Sequence, residues 1–225
     1  VIPKQQIKPE DIPLQIQLFE EALIQTRKEI IDLQKRITAD MGQEQAQIFD
    51  AHLLVLEDRM IIEEVISRLK KDCLNVAYIF SEVLKKYIDV FSRIEDEYLK
   101  ERTADVNDVG RRILRNLLGK KRSILEEVKE RVVVVAHDLS PSDTASMHKE
   151  NVCAFITDIG GKTSHTAIMA KSLEIPAVVG AEEATVKIKT GDMLIVDGSM
   201  GIVIVDPDEE TLRKYEREEE KIKGI

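Results

Sequence analysis

The sequence predicts two parts of different fold class, an all-α helical bundle followed by a smaller α/β layer. Apolar residues recur at three- and four-residue steps up to about residue 120. Beyond that point, short β-branched runs are separated by glycine and aspartate, and helix-start residues follow two of these runs. We therefore predict a connecting segment at 1–9, a helical bundle at 10–120, an α/β part at 121–206 and a C-terminal linker helix at 207–225.

Composition limits the classes of function. The chain has 225 residues, 43% of them hydrophobic, and no apolar run near the roughly 20 residues that a membrane span needs. We expect a cytoplasmic protein without a membrane partner. A formal net charge of -9 counts against a nucleic-acid partner, which would demand a basic face. Cys73 and Cys153 lack metal or redox spacing, which favours small buried thiols.

The helical part begins with one long amphipathic helix. Its apolar stripe ends before Gly42, a helix stop signal. The following segment, 43–69, is apolar on more than one side, so we expect a pair of short helices that leave some apolar surface uncovered. Another stripe runs from Val76 to Tyr98, and a last helix ends near Gly119.

The α/β part begins with the β-branched run "RVVVVAHDL". Ser140, Pro141 and Asp143 then supply a cap, a first-turn proline and an acid at the positive end of a helix. The strand "VCAFITD" precedes a helix at about 164–173, and "AVVG", "DMLIVD" and "GIVIVD" read as further strands. The tail from Asp208 mixes acids and bases over a helical length, which is typical of a solvated helix.

One stretch, "DIGGKTSHTAIMAKSLEIPAVVG", combines glycines, a cation, hydroxyls and a histidine where a strand gives way to a helix. His165 falls in the first helical turn, where the positive helix end disfavours the imidazolium and leaves a neutral, nucleophilic ring. Such a ring can accept a phosphoryl group, and first-turn amides form an anion site. The candidate phosphate-stabilising residues are Gly161, Lys162, Thr163 and Ser164.

The residues alone leave other interpretations open. His165 could be a polar residue that merely fills a helix start. A Ser-His-Asp hydrolase using Ser164 or Ser140 lacks a G-x-S-x-G elbow. His137 and His148 have no partner at metal-ligand spacing, so we interpret both as structural and expect no metal site.

The motifs resemble those of a known family. "GGKTSHTAIMAKSLEIPAVVG" is similar to the phosphohistidine signature of phosphoenolpyruvate-utilising enzymes. Together with "DLSPSDTA", "IFDAHLLVLED" and "EYLKERTADVNDVGRRILRNLLG", it resembles Enzyme I of the bacterial phosphoenolpyruvate:sugar phosphotransferase system. The resemblance implies a swivelling α/β phosphohistidine subdomain with an inserted helical bundle, in which phosphorylated His165 passes its phosphoryl group to a histidine-containing phosphocarrier protein.

The resemblance also implies roles for further residues. Thr144 would hydrogen-bond the active histidine and orient it. The phosphocarrier protein would dock on the bundle, and acids beside uncovered apolar residues suit a partner with a basic rim around an apolar contact. Lys162 stands where the signature often has arginine, and Asn107 stands where we expect a basic residue. The implied docking residues are Glu44, Phe49, His52, Val55, Asp58 and Arg102.

By the same resemblance, phosphoenolpyruvate and magnesium bind a C-terminal barrel that this chain lacks and that forms the family's dimer. We therefore expect a monomeric phosphotransfer fragment without a cofactor of its own, whose second partner is the C-terminal phosphoenolpyruvate-binding domain. Two alternatives stay open: the swivelling domain of a phosphoenolpyruvate synthase or pyruvate phosphate dikinase, and a non-catalytic helical adaptor.

Overall fold

The computed structural model describes residues 2–93, 97–119, 128–147, 149–162, 164–222 and 224. The chain divides into two compact units, Val1–Arg122 and Ser123–Ile225. Each unit is described by itself, and the finer four-part division stays a prediction. Among the described residues, no helix is both long and apolar enough to cross a membrane.

The first unit is helical, as predicted. The long helix α1 (Ile12–Met41) begins beside Pro13 and is followed by Gly42, whose φ of +99° favours glycine. Asp58 caps α4 (Arg59–Asp72) by accepting the backbone N–H groups of Met60 (2.9 Å) and Ile61 (3.4 Å). The helices are α1 (Ile12–Met41), α2 (Gln43–Ala46), α3 (Ile48–Leu56), α4 (Arg59–Asp72), α5 (Val76–Ser92) and α6 (Glu97–Leu117).

The predicted pair of short helices is confirmed as α3 and α4, and the single turn α2 precedes it. The prediction of one stripe from Val76 to Tyr98 is wrong in one respect, because α5 ends at Ser92 and Tyr98 belongs to α6. Ile94 of that stripe lies outside the described residues. Helical periodicity shows which residues face the core. It does not reveal a break when the apolar pattern continues from one helix into the next.

Two contacts tie the bundle together. Gly110 of α6 faces Leu84 of α5 so closely that an added Cβ would lie 2.4 Å from Leu84 Cδ2. Glu29 of α1 accepts from Arg112 (3.0 Å) and Arg115 (2.9 Å) of α6. Burial raises the pKa of Glu29. Hydrogen bonds from Gln25 and Arg112 and the charges of Arg112 and Arg115 together lower it by a larger amount, so the net pKa of Glu29 lies below its usual range.

The second unit is an α/β layer. The strands β1 (Val132–Ala136), β2 (Val152–Thr157) and β3 (Ala177–Val179) form a parallel sheet with β2 in the centre. The strands β4 (Leu194–Asp197) and β5 (Ile202–Val205) form an antiparallel hairpin. The helices are α7 (Pro141–Ser146), α8 (His165–Ser172), α9 (Ala184–Lys187) and α10 (Glu209–Ile222).

These strands and the helices α7, α8 and α10 lie where the sequence predicts them. The short helix α9, which packs against β1 and β2, was not predicted. No residue of α10 is buried, as expected for a solvated helix. Cys73 and Cys153 are free thiols, but both are half-buried, so the expectation of buried thiols holds only in part.

Candidate functional site

The histidine stretch lies at the carboxyl edge of the parallel sheet, the edge at which α/β proteins generally bind ligands. It leaves β2 at Asp158, while β3 ends beside Gly180. Gly160 has φ +116° and Gly180 has φ +74°. A Cβ added to Gly180 would lie 2.9 Å from the carbonyl oxygen of Gly160. Gly180 is therefore needed because a side chain there would collide with the Gly160 backbone, and Gly160 is favoured by its positive φ.

His165 is the first residue of α8. Ser164 caps the helix with its side-chain oxygen, which accepts the backbone N–H of Ala167 at 3.3 Å. The N–H of Ser164 in turn donates to the carbonyl of Gly161 at 2.9 Å, which closes the loop onto the helix start. The half-buried imidazole of His165 therefore lies at the positive end of α8.

Thr144 meets this histidine from α7. Its Oγ1 lies 3.4 Å from Nε2 of His165, and also 3.0 Å from the carbonyl of Pro141. Ser140 and Asp143 form a capping box that fixes the start of α7. The two residues that the sequence analysis assigned to catalysis are thus brought together, with Thr144 buried at 3% exposure.

A second contact joins the starts of α7 and α8. The hydroxyl of Thr166, the residue after His165, donates to the carbonyl of Leu139 at 3.3 Å. Thr166 is buried, so this bond is shielded from water. The contact between Thr144 and His165 is therefore supported by a second, buried contact between the segments that carry these two residues.

The structure describes three of the four predicted phosphate-stabilising residues, Gly161, Lys162 and Ser164. Gly161 and Lys162 are exposed and Ser164 is half-buried. A Cβ added to Gly161 would meet nothing within 4 Å, so an anion could approach the backbone there. Thr163 lies outside the described residues.

The predicted docking residues divide into two groups. Glu44 is exposed, and Val55, Asp58 and Arg102 are half-buried. Phe49 (1%) and His52 (0%), however, are core side chains, so they cannot touch a partner unless the bundle rearranges. This is a correction: we expected both at the surface, yet they occupy the inner face of α3.

His52 has an internal role instead. Its Nε2 lies 3.3 Å from Asp105 Oδ1, and its Nδ1 lies 3.9 Å from Asp108 Oδ2, both on α6. Phe49 packs edge-on against its ring at 5.4 Å between centroids. The two residues thus hold α3 against α6.

The uncovered apolar residues of this segment are ones that the sequence analysis did not name. Leu54 of α3 is 61% exposed and Met60 of α4 is 70% exposed. Exposed acids, Asp50 and Glu57, accompany them. We name Leu54, Met60, Asp50, Glu57 and Glu44 the apolar-acidic face. Helical phase, with Leu54 two positions after the buried His52, was the signal that could have identified the exposed leucine.

Among the described residues, no group of three or more His, Cys, Asp or Glu side chains could hold a metal ion. The expectation that this chain carries no cofactor, and that magnesium belongs to a C-terminal barrel, stays a prediction.

Known proteins resemble the chain over nearly its whole length. Residues 1–102 match the family described as "PEP-utilising enzyme, N-terminal", and residues 128–201 match "PEP-utilising enzyme, mobile domain". Phosphoenolpyruvate-protein phosphotransferase of Staphylococcus epidermidis is 42% identical over 95% of this chain and 37% of its own length. That of Bacillus subtilis is 42% identical over 92% of this chain and 36% of its own length. The chain therefore spans little more than a third of these curated relatives.

Solved structures give the same result. The NMR solution structure of Enzyme I (nEIt) has a TM-score of 0.78 and 45% identity, and the match covers 99% of this chain and 90% of that one. The structure described as "N-terminal domain of Enzyme 1 - Nitrogen" has a TM-score of 0.63 and 28% identity, over 96% of this chain and 87% of that one. The predicted fold class, a helical part with an α/β part, is confirmed.

Proposed function

Because the chain belongs to the Enzyme I family of PEP-utilising enzymes, we propose that it carries a phosphoryl group on His165 and exchanges it with a histidine-containing phosphocarrier protein of the sugar phosphotransferase system. The single observation that carries this proposal is the placement of His165 at the start of α8 against Thr144 (3.4 Å). A half-buried imidazole beside an exposed glycine and Lys162 suits a nucleophile that receives an anion.

The lone pair of one imidazole nitrogen of His165 attacks phosphorus, the P–N bond of the phosphocarrier's phosphohistidine breaks, and the departing imidazole nitrogen takes the electron pair. The His165 ring releases the proton of its other nitrogen to solvent and the departing ring takes up one proton from solvent, so the transfer balances in charge and in protons. Both ends are phosphoimidazoles, so the step is close to reversible and depends chiefly on alignment. Lys162 supplies a positive charge, and the helix dipole and first-turn amides favour the dianion.

The contact with Thr144 affects the two ring nitrogens of His165 differently. Nε2 faces the threonine hydroxyl, so a phosphoryl group on Nε2 must displace this contact, whereas a group on Nδ1 could form with the contact retained. The hydroxyl therefore holds the ring ready before transfer. Its carbonyl contacts to Ser140 (3.2 Å) and Pro141 (3.0 Å) keep it in place when the ring turns.

The phosphocarrier protein would dock on the apolar-acidic face of the helical unit. Leu54 and Met60 offer exposed apolar side chains, and the exposed acids Glu44 and Asp50 of the same segment offer charges to a basic rim, whereas Glu57 already pairs with Arg27. Val55, Asp58 and Arg102 are half-buried and are kept as candidate contacts. Asp58 already caps α4, so its substitution would also disturb the helix. Phe49 and His52 would act by supporting α3 from within.

The relatives' printed name, phosphoenolpyruvate-protein phosphotransferase, includes a step that we assign to the remainder of a longer protein. The part of the chain that the structure describes holds no carboxylate cluster suited to a divalent metal. Because the chain spans only 37% of the length of the Staphylococcus epidermidis relative, we propose a C-terminal phosphoenolpyruvate-binding domain with magnesium as the second partner. The relatives' names favour this assignment over a phosphoenolpyruvate synthase or a dikinase.

The test uses two mixtures. The purified chain is incubated with ³²P-labelled phosphocarrier protein and a chelator, and separately with labelled phosphoenolpyruvate and magnesium. We expect label on the chain in the first mixture and none in the second. No label in the first mixture would refute the exchange, and label in the second would refute the assignment of phosphoenolpyruvate chemistry to the missing domain.

A further inference from the structure

The carboxylate of Asp158 joins three segments at the carboxyl edge of the parallel sheet. Its side chain is buried, at 4% exposure. Thr185 of α9 donates its backbone N–H to Oδ1 at 2.9 Å and its hydroxyl to Oδ2. His137, the residue after β1, places Nδ1 3.2 Å from Oδ2. The ends of β1 and β2 and the start of α9 therefore meet at one side chain.

The ionisation of Asp158 determines which group donates in each of these hydrogen bonds. The hydroxyl and the backbone N–H of Thr185 lower the pKa of Asp158, outweighing its desolvation, and His137 lowers it further. An ionised carboxylate only accepts, so His137 donates its Nδ1–H. An amide in the same place would have to turn its NH₂ group towards one of the three donors.

The segment that follows Asp158 is held at its first step. The N–H of Ile159 donates to the carbonyl of His137 at 3.1 Å. Its carbonyl accepts from the hydroxyl of Thr157 at 2.8 Å. The N–H of Asp158 donates to Ala136 at 3.1 Å, continuing the sheet pairing past the end of β2.

Contacts also hold three of the residues that lie between Ile159 and the histidine, namely Gly160, Gly161 and Ser164. Gly160 lies against Gly180, where an added Cβ would come within 2.9 Å of the Gly160 carbonyl oxygen. Ser164 then bonds back to Gly161 at 2.9 Å and caps the helix that begins at His165. The contacts of Ile159, Gly160, Gly161 and Ser164 thus lead from the Asp158 carboxylate towards the start of α8.

We propose that Asp158 is a positioning residue for the transfer step: it fixes the loop before His165 so that the imidazole meets Thr144. The proposal deepens the function proposed above and rests on it. His137, which we interpreted as structural, is one donor of this clamp. Its side chain is 72% exposed, so water can replace it and Thr185 is the stronger partner.

The experiment compares four variants of the full chain. Asp158→Asn replaces the accepting carboxylate and Thr185→Val removes one of its three donors, whereas Thr185→Ser keeps the hydroxyl. Asp197→Asn is the matched control, because Asp197 accepts from Ser199 N (3.0 Å) and Met200 N (2.9 Å) in the β4–β5 turn. Rates are measured with phosphorylated phosphocarrier protein over a range of concentrations, and ¹⁵N spectra report the His165 ring.

For Asp158→Asn and Thr185→Val we expect kcat to fall about 10- to 100-fold with KM changed less than about twofold, since a displacement near 1 Å costs about that much. The His165 ring signals should shift or split in both. Thr185→Ser and Asp197→Asn should keep kcat within about twofold and leave the ring signals in place.

The outcomes separate the two proposals. If the unaltered chain transfers no phosphoryl group, the proposed function fails, and the ring signals alone decide the positioning role. Unchanged ring signals and rates in Thr185→Val would overturn the clamp, as would an equal loss in Asp197→Asn. If Asp158→Asn does not fold, the Thr185→Val and Thr185→Ser pair decides.

Discussion

Replacement of Thr144 by valine tests the orienting contact at nearly constant volume. The hydroxyl lies 3.4 Å from His165 Nε2, long for a hydrogen bond between an oxygen and a nitrogen. The Pro141 carbonyl at 3.0 Å loses a contact as well, while the Ser140 carbonyl keeps the backbone N–H of Thr144 at 3.1 Å. The substitution therefore leaves the helix intact and removes one weak restraint on the ring.

The magnitude follows from that geometry. A hydrogen bond of ordinary strength contributes about 1 kcal/mol net, and 1.4 kcal/mol is a factor of ten in rate. A long contact that orients the imidazole ring should contribute somewhat less than this ordinary value, so we expect Thr144→Val to slow transfer about 2- to 5-fold. Partner binding should not change, because Thr144 is buried.

Rapid-quench, single-turnover transfer from phosphorylated phosphocarrier protein measures this directly, with KM and thermal unfolding recorded alongside. Thr144→Ser is the matched control, since it keeps the hydroxyl and should transfer within about twofold of the unaltered chain. Equal rates for Thr144→Val and the unaltered chain would refute the orienting role. If Thr144→Ser slows transfer as much as Thr144→Val does, the effect comes from packing and not from the hydroxyl.

Three further predictions concern docking, pH and packing. Leu54→Asp and Met60→Asp should each weaken phosphocarrier binding at least about tenfold by calorimetry, whereas Val186→Asp, at a residue of the α/β unit that is even more exposed, should not; the reverse pattern would move the docking face. The pKa of Asp158 is lowered by folding, so its stabilisation is present above the unfolded pKa of about 3.9 and is lost as pH falls through the folded value. The difference in unfolding free energy between the unaltered chain and Asp158→Asn should therefore stay constant from about pH 6 to pH 5 and shrink as pH falls below about 4, and a difference that stays constant below pH 4 would contradict this. Gly110→Ala should cost about 1–3 kcal/mol in urea unfolding, because its Cβ would meet Leu84 at 2.4 Å; a stabilised protein would show that Leu84 moves aside.

Much of the fold follows from local patterns. The helix α1 could be predicted because its apolar stripe, Pro13 and Gly42 indicate the same helix. The helix α7 could be predicted because its capping box lies within four consecutive residues. The short helix α9 has four residues and one buried side chain, too little for periodicity to reveal. The break after Ser92 was missed because the apolar pattern continues across it.

The site was predictable to a similar depth. The glycines, Ser164 and His165 form one continuous motif, so their shared position follows from sequence order. The pairing of His165 with Thr144 spans 21 residues, and only the family resemblance suggested it. The buried positions of Phe49 and His52 were missed because a segment apolar on more than one side does not reveal which side faces the core. The clamp at Asp158 was missed because its partners come from β1 and α9.

The central claim is that His165 carries the phosphoryl group. The most direct measurement is ³¹P NMR and fragmentation mass spectrometry of the chain after incubation with phosphorylated phosphocarrier protein, with His165→Asn as the matched variant and circular dichroism as the check on folding. The account predicts one phosphohistidine, at residue 165, and none in the folded His165→Asn protein. A phosphoryl group on another residue of the unaltered chain, or full labelling of the His165→Asn protein, would contradict it.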